Sequence, residues 1–305
     1  MDFREMRYVL AIVEEASLTK AAFKLHISQP SLSKFLNTLE KRDVPIFDRH
    51  ASPMRLTEYG QRYVTTARMI LKLTEELHDF QKGMAGAGTL RVGVTVAQGL
   101  CLMPRVLAAF SKLCGQVRVV VTEGKSSELR NKLQEGLLDV IFMDGAANLP
   151  PEYATELLKN ERFYLATPPH LLPEGPKTFE HALSHLRPDM MKFILLHPGQ
   201  RFRSIAEHVF AEYSISPRIM YETQMSTTAA RLCARGVGLT FVSSLVHDSF
   251  HSNVEPDYYI LDKRFTNAVV AGYPRGLHLQ PSVRPFIELF KKFLSIPEEG
   301  QSGIT

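Results

Sequence analysis

The order of elements predicts an α/β protein in three parts: a small helical head with a two-stranded wing, one long helix, and a body of two matching α/β lobes. Three observations predict it. Two short amphipathic helix patterns stand back to back between Ser17 and Lys41, ahead of a hairpin pattern. The run from Glu58 to Lys82 contains no proline. Beyond it, the order strand, helix, strand, helix, strand occurs twice, which implies parallel strands.

A chain of 305 residues with 45% hydrophobic and 22% charged residues suggests two or three folding units with real cores. The opening MDFREMRYVLAIVEE carries charges on both sides of a short apolar stretch. It fits neither a secretory leader nor a membrane span, so a cytoplasmic protein is expected. The three cysteines (Cys101, Cys114 and Cys233) form no CxxC pair, which argues for reduced thiols over a disulfide framework or a zinc module. Net charge is +4. Ser17 to Thr57 alone holds seven cations against three anions, so the whole surplus sits there and the rest of the chain is balanced. Attraction for a phosphate backbone belongs to the head.

The first helix, about Phe3 to Ala16, aligns Met6, Val9, Leu10 and Val13 on one stripe. The second starts at Ser17 as N-cap and turns Leu18, Ala21, Ala22 and Leu25 inward, its alanines allowing close helix approach. His26 and Ile27 make the turn. Ser28 caps the third helix, and Pro30 sits in its first turn, where a missing N–H costs no hydrogen bond. Along that helix Leu32, Phe35, Leu36 and Leu39 face inward while Gln29, Ser31, Ser33, Lys34 and Asn37 do not. Amides and hydroxyls at the start of such a helix meet base edges in a major groove, and cations meet phosphates. The segment Ile46 to Thr57 then reads as a wing that presents Arg49 and Arg55 to phosphates. The reading set is therefore Ser28, Gln29, Pro30, Ser31, Ser33, Lys34, Asn37, Arg49 and Arg55. A purely solvated polar face is the bland alternative.

This segment resembles the LysR-type transcriptional regulators. The resemblance rests on Ala21-Ala22, Leu25, Ser28-Gln29-Pro30, Leu32-Ser33, Leu39-Glu40, Ile46-Phe47, Arg49, Leu56-Thr57 and Gly60 in order. One departure stands out: the stretch Glu40 to Pro45 is a residue shorter than the family's usual connection and lacks its Leu-Gly. The resemblance implies a winged helix-turn-helix and a periplasmic-binding-protein-like effector domain. It also implies an inverted-repeat DNA operator, contact with RNA polymerase, and a homodimer or a homotetramer built as a dimer of dimers.

Thr57 caps the long helix, along which Tyr63, Thr66, Ile70, Leu73, Leu77, Phe80 and Met84 keep the spacing of a coiled-coil seam. Packing of that stripe on the chain's own body is the alternative. Gly83 to Thr89 makes a joint. In the body, strands at Thr89–Val96, Val117–Glu123 and Asp139–Asp144 alternate with helices at about Leu100–Cys114 and Ser127–Glu135. The second round has strands at Phe193–His197, Arg218–Glu222 and Leu239–Ser243 with helices at Arg201–Tyr213 and Thr227–Arg235. Tyr164–Pro168 leads into the second lobe, Asn267–Pro274 leads back, and a helix at about Ser282–Leu294 closes the first. The expected domains are 1–60 for the head, 61–87 for the linker helix and joint, and 88–305 for the body. Lobe I takes 88–162 and 266–297, and lobe II takes 163–265.

Open α/β sheets bind ligands beyond the C-terminal ends of their strands, near helix N-termini that favour anions. That rule selects Thr95, Gln98, Ser126 and Ser127 from one lobe. From the other it selects Gln200, Arg201, Arg203, Gln224, Ser226 and Thr227. Such a lining suits a small-molecule effector, such as a carboxylate, with no cofactor; simple helix capping is the competing role. Two helical histidine pairs, His181/His185 and His247/His251, lack a convincing third metal ligand. Cys101 or Cys233 could serve a redox switch, although only Arg231 and Arg235 flank the latter. Neither a nucleophile elbow, a Walker loop, GxGxxG nor HExxH occurs, so an enzyme is not expected. A solute-binding protein would fit the body but not the head.

Overall fold

The computed structural model describes residues 2–42, 44–48, 55–81, 88–145, 148–275 and 281–296. The chain forms two compact units, Met1–Thr89 with Asn131–Leu138, and Leu90–Arg130 with Asp139–Thr305.

In the first unit α1 (Phe3–Glu15) starts at a capping box in which Asp2 accepts from the N–H of Glu5 and Glu5 accepts from that of Asp2. It ends at Ala16 in the left-handed conformation. Helix α2 (Leu18–Lys24) is capped by Ser17 and α3 (Gln29–Arg42) by Ser28, as the sequence indicates. Strands β1 (Phe47–Asp48) and β2 (Arg55–Leu56) pair antiparallel as the wing. Val9, Ile12, Ala21, Leu32, Leu39 and Ile46 are buried together. Burying each large aliphatic chain contributes about 1.5–3 kcal/mol, which holds so small a bundle together. Helix α4 (Glu58–Gln81) adds Tyr63, Val64 and Ala67 to this core. Tyr63 is thus a core residue of the head and not part of a dimer seam, because the first turns of α4 pack beneath the wing. Farther along, Leu73 and Leu77 are 41% and 59% exposed. The seam position Met84 and most of the glycine joint lie outside the described residues.

The second unit has the two rounds of strands and helices that the sequence indicates. In the first round β3 (Thr89–Val94) lies between β4 (Arg118–Glu123) and β5 (Val140–Asp144), parallel to β5. The helix expected at Leu100–Cys114 is two helices, α5 (Val96–Cys101) and α6 (Met103–Leu113). Pro104 cannot sit inside one continuous helix, but it is accommodated in the first turn of a new one. Helix α7 (Ser126–Gln134), whose residues from Asn131 onward belong to the first unit, precedes β5.

The strand expected at Tyr164–Pro168 is the end of a 15-residue strand, β6 (Tyr153–Thr167). Between β6 and the second round lies α8 (Phe179–His185). The second round comprises β7 (Lys192–Leu196), α9 (Arg201–Glu212), β8 (Arg218–Thr223), α10 (Ser226–Ala234) and β9 (Thr240–Ser243). Helix α11 (Ser244–Asp248), strands β10 (Asp257–Ile260) and β11 (Thr266–Pro274), and helix α12 (Val283–Ser295) complete the unit.

Strand β6 serves both lobes. Its first part pairs antiparallel with β11, and its last residues pair with β9 and β10. Strands β7 and β8 are parallel, and β7 reaches β9 through the Phe193–Leu239 bridge. The cores are separate. Phe110, Phe142, Phe286 and Phe290 fill one, with Phe142 and Phe290 stacked at 3.8 Å between ring centres; Phe163, Phe193, Phe210 and Phe241 fill the other.

Candidate functional site

One turn-by-turn division of α3 builds the first candidate site. Leu32, Leu36 and Leu39 are buried, while Gln29, Pro30, Ser33, Lys34, Asn37, Thr38 and Lys41 line a shallow concavity of about 610 Å³. The polar face stays open because the cap fixes the start of the helix. Ser28 Oγ accepts from the Ser31 N–H at 3.3 Å, and the two hydroxyls lie 2.7 Å apart. Ser28 and Ser31 are therefore engaged in capping, whereas Gln29, Ser33, Lys34 and Asn37 form the concavity itself. Arg55 is exposed on β2, opposite Asp48. Arg49 lies outside the described residues.

The turn between α3 and the wing is held by an acid that the sequence reading used only as a motif letter. Glu40 Oε1 accepts from the N–H groups of Ile46 and Phe47 at 3.1 and 3.0 Å. Thr57 Oγ1 donates to the Pro45 carbonyl at 2.7 Å and accepts from the Gly60 N–H at 2.9 Å. These bonds explain physically why Glu40, Thr57 and Gly60 occupy their positions.

The second candidate site is a cleft of about 650 Å³ in the second unit, between its two lobes. Its lining includes eight of the ten residues selected from strand ends: Thr95, Ser126, Ser127, Gln200, Arg201, Gln224, Ser226 and Thr227. Helices α5 and α7 from one lobe and α9 and α10 from the other start at this lining. Among the described residues neither N-cap side chain, Gln200 of α9 or Met225 of α10, takes the first N–H groups of its helix, which leaves donors for an anion. Gln200 ties the two loops of its lobe together: its Oε1 accepts from the His197 N–H at 3.0 Å, and its Nε2 donates to the Gln224 carbonyl at 3.0 Å.

The other two selected residues do not line the cleft. Gln98 is buried beneath it, accepting from the Thr95 N–H and donating to Asp144 Oδ1 at 3.3 Å. Arg203 is 8% exposed, and its guanidinium donates to the Leu196 carbonyl, Glu222 and Glu207 at 3.0, 2.6 and 2.7 Å. Helical periodicity turns Arg203 inward two residues after Arg201 stands free at the cleft.

Sequence reasoning missed Lys125, Glu128, Arg130 and Asp144 in the lining. Asp144 ends β5 and could have been selected by the same strand-end rule. Burial pushes its carboxyl up to about 6, against the Asn267 amide. Glu161, on β6, is pushed up to about 7 by burial and by the Asp144 charge. Asn267 Nδ2 donates to both, at 2.9 Å to Asp144 Oδ1 and 3.1 Å to Glu161 Oε2.

The remaining chemistry singled out from sequence takes ordinary places. His181 and His185 pack together on α8 with rings 4.5 Å apart, and His247 stacks on Tyr164 and bonds Asp248. Among the described residues no group of three or more His, Cys, Asp or Glu could hold a metal ion. Cys101 and Cys233 are buried thiols, and burial pushes Cys233 up, away from the reactive thiolate. Among the described residues no helix is long and apolar enough to cross a membrane.

Comparison with known proteins agrees with this geometry. Residues 3–61 match the model of the bacterial regulatory helix-turn-helix protein, lysR family, and residues 85–295 match the LysR substrate binding domain. The chain is 30% identical over 256 residues to a probable RuBisCO transcriptional regulator of Trieres chinensis, covering 79% of this chain and 80% of that one. It is 28% identical over 248 residues to the HTH-type transcriptional regulator BenM of Acinetobacter baylyi, covering 79% and 80%. A solved full-length OxyR variant from Pseudomonas aeruginosa shares the fold with a TM-score of 0.69 at 23% identity, over 97% of this chain and 98% of that one.

Proposed function

The chain belongs to the LysR family of bacterial helix-turn-helix transcriptional regulators, and from that premise we propose that it reads its operator with the exposed face of α3 and answers to a small anion between its lobes. The family is one of regulators and not of enzymes. One observation carries the proposal: a single helix buries Leu32, Leu36 and Leu39 and leaves Gln29, Ser33, Lys34 and Asn37 together on an open concave face. Gln29 and Ser33 meet base edges. Lys34 meets phosphates, with Arg55 of β2 and, as the sequence pattern suggests, Arg49.

Pairing of α4 through Leu73 and Leu77, both exposed in a single chain, brings two heads onto an inverted repeat; two such pairs make the tetramer. The effector binds the open and closed arrangements of the lobes unequally, which shifts the equilibrium between them. The heads then meet the operator differently, and so does RNA polymerase beside them. The working division is 1–60 for DNA, 61–87 for pairing and 88–305 for the effector, in the cytoplasm.

Titration of the full chain against an operator selected from random duplexes tests the reading face. Ser33→Ala lowers the preference for operator over unrelated duplex by about tenfold, one base contact being worth about 1–3 kcal/mol. Lys34→Ala weakens binding to every duplex and reduces the salt slope by about one. If both variants titrate like the parent, the face is wrong.

A further inference from the structure

The floor of the cleft carries an unbalanced acid. Asp144 Oδ1 accepts from Gln98 and Asn267, and the Thr95 hydroxyl also bears on this carboxyl. No lysine or arginine stands within ion-pair distance of it among those residues. Arg201 acts on it only through its longer-range field. Thr95 Oγ1, also in the lining, is buried and lies against this carboxyl.

Behind Asp144 stands a second carboxyl. Glu161 Oε1 accepts from the Leu245 N–H at 3.1 Å, and its Oε2 accepts from the same Asn267 nitrogen that serves Asp144. A part-buried and a buried carboxyl share one amide nitrogen, with no cation paired to either among the described residues, and Asp144, the one at the cleft, carries the larger part of the negative charge. A metal ion cannot balance it from between them. Asn267 Nδ2 fills that position, and its Oδ1, which would be the ligand atom, is turned away without a partner. A balancing cation can approach from the cleft, which Asp144 lines.

Elsewhere the same cleft is built for the opposite sign. The N-termini of α7 and α10, with Ser126 and Ser226, and the free guanidinium of Arg201 favour an anion. We infer that the effector is a small zwitterion, an α-amino acid or an amine-bearing acid of similar size, with its ammonium on Asp144 and its carboxylate on these helix starts and Arg201. The inference rests on the interlobe reading above and replaces a simple anion by one that carries a cation. A volume of about 650 Å³ accommodates such a molecule with its bridging waters.

Calorimetric titration of the full chain with matched probes tests it: L-amino acids, the acids with hydrogen in place of the α-ammonium, and the amines with hydrogen in place of the carboxylate. At least one amino acid is expected to bind ten times more tightly than both of its counterparts. Asp144→Asn, whose amide oxygen can keep the bonds from Gln98 and Asn267, lowers that affinity at least tenfold and leaves the matching acid unchanged or tighter. An acid that binds wild type as well as its amino acid overturns the zwitterion but leaves the anion-binding cleft standing. An amine that binds as well as its amino acid, or the failure of all three probe sets, overturns both. The wild-type comparison decides the matter by itself if the Asn variant does not fold.

Discussion

Glu40, at the end of α3, holds the first strand of the wing by accepting the backbone N–H of Phe47 at 3.0 Å, and the same oxygen takes the N–H of Ile46. An acid in the basic head thus sets how the wing leaves the reading helix. Replacing it by alanine leaves two buried donors without a charged acceptor, a loss of about 2–3 kcal/mol. Urea unfolding of Glu40→Ala is expected to show that loss, with weaker binding to DNA of any sequence. Unchanged unfolding would mean that the wing is held by other contacts.

Gly60 is required by space. A methyl group added there would run into the carbonyl oxygen of Ile46, a backbone atom that cannot yield without moving the wing. Gly60→Ala is expected to destabilise the chain by about 1–3 kcal/mol despite alanine's better helix propensity. A melting temperature at or above that of the parent would contradict it.

Arg201 and Arg203 are two residues apart and do different work. Arg201 lines the cleft, so Arg201→Ala weakens an anionic effector by tenfold or more and leaves the melting temperature within a degree or two. Arg203 bonds the Leu196 carbonyl and two glutamates from a buried position. Because Glu207 and Glu222 keep 56% and 42% of their side-chain surface in water, losing Arg203 costs a moderate amount, about 2 kcal/mol. Thermal unfolding and effector titration of both variants separate the roles, and equal behaviour would contradict them.

The two carboxyls that share the Asn267 amide give a pH signature. The folded values of about 6 for Asp144 and about 7 for Glu161 lie above the ordinary carboxylate range near 4. Between roughly pH 4 and 7 the folded chain therefore binds more protons than the unfolded one, and the stability from these groups falls as pH rises through that window. Asp144→Asn removes one titrating group and the charge that raises the other. Its melting temperature is expected to fall less between pH 5 and 8 than that of the parent. Parallel curves would contradict the coupling.

Much of this organisation is legible in the sequence where one residue type performs one local task. Ser17 and Ser28 cap their helices and the leucine stripe of α3 faces inward, since capping and periodicity act within a few residues. The strand-end rule finds most of the cleft for the same reason. Long-range effects are harder to read. Strand β6 runs 15 residues because it serves two lobes in turn, and only its last part shows a recognisable apolar run. Glu161 and Asn267 look like solvated positions in strands, yet they are 1% and 0% exposed because their partners come from distant parts of the chain. Tyr63 follows the coiled-coil spacing but is claimed by the head's core.

Nuclease footprinting of the full chain on the DNA that flanks its own gene, beside the double variant Gln29→Ala, Ser33→Ala, bears most directly on the exposed face of α3. The parent is expected to protect a stretch with two symmetry-related halves. The variant, whose changes lie outside the buried core, is expected to fold alike and lose that protection. Protection of the same stretch at the same concentration by both proteins would contradict the assignment of α3 as the reader.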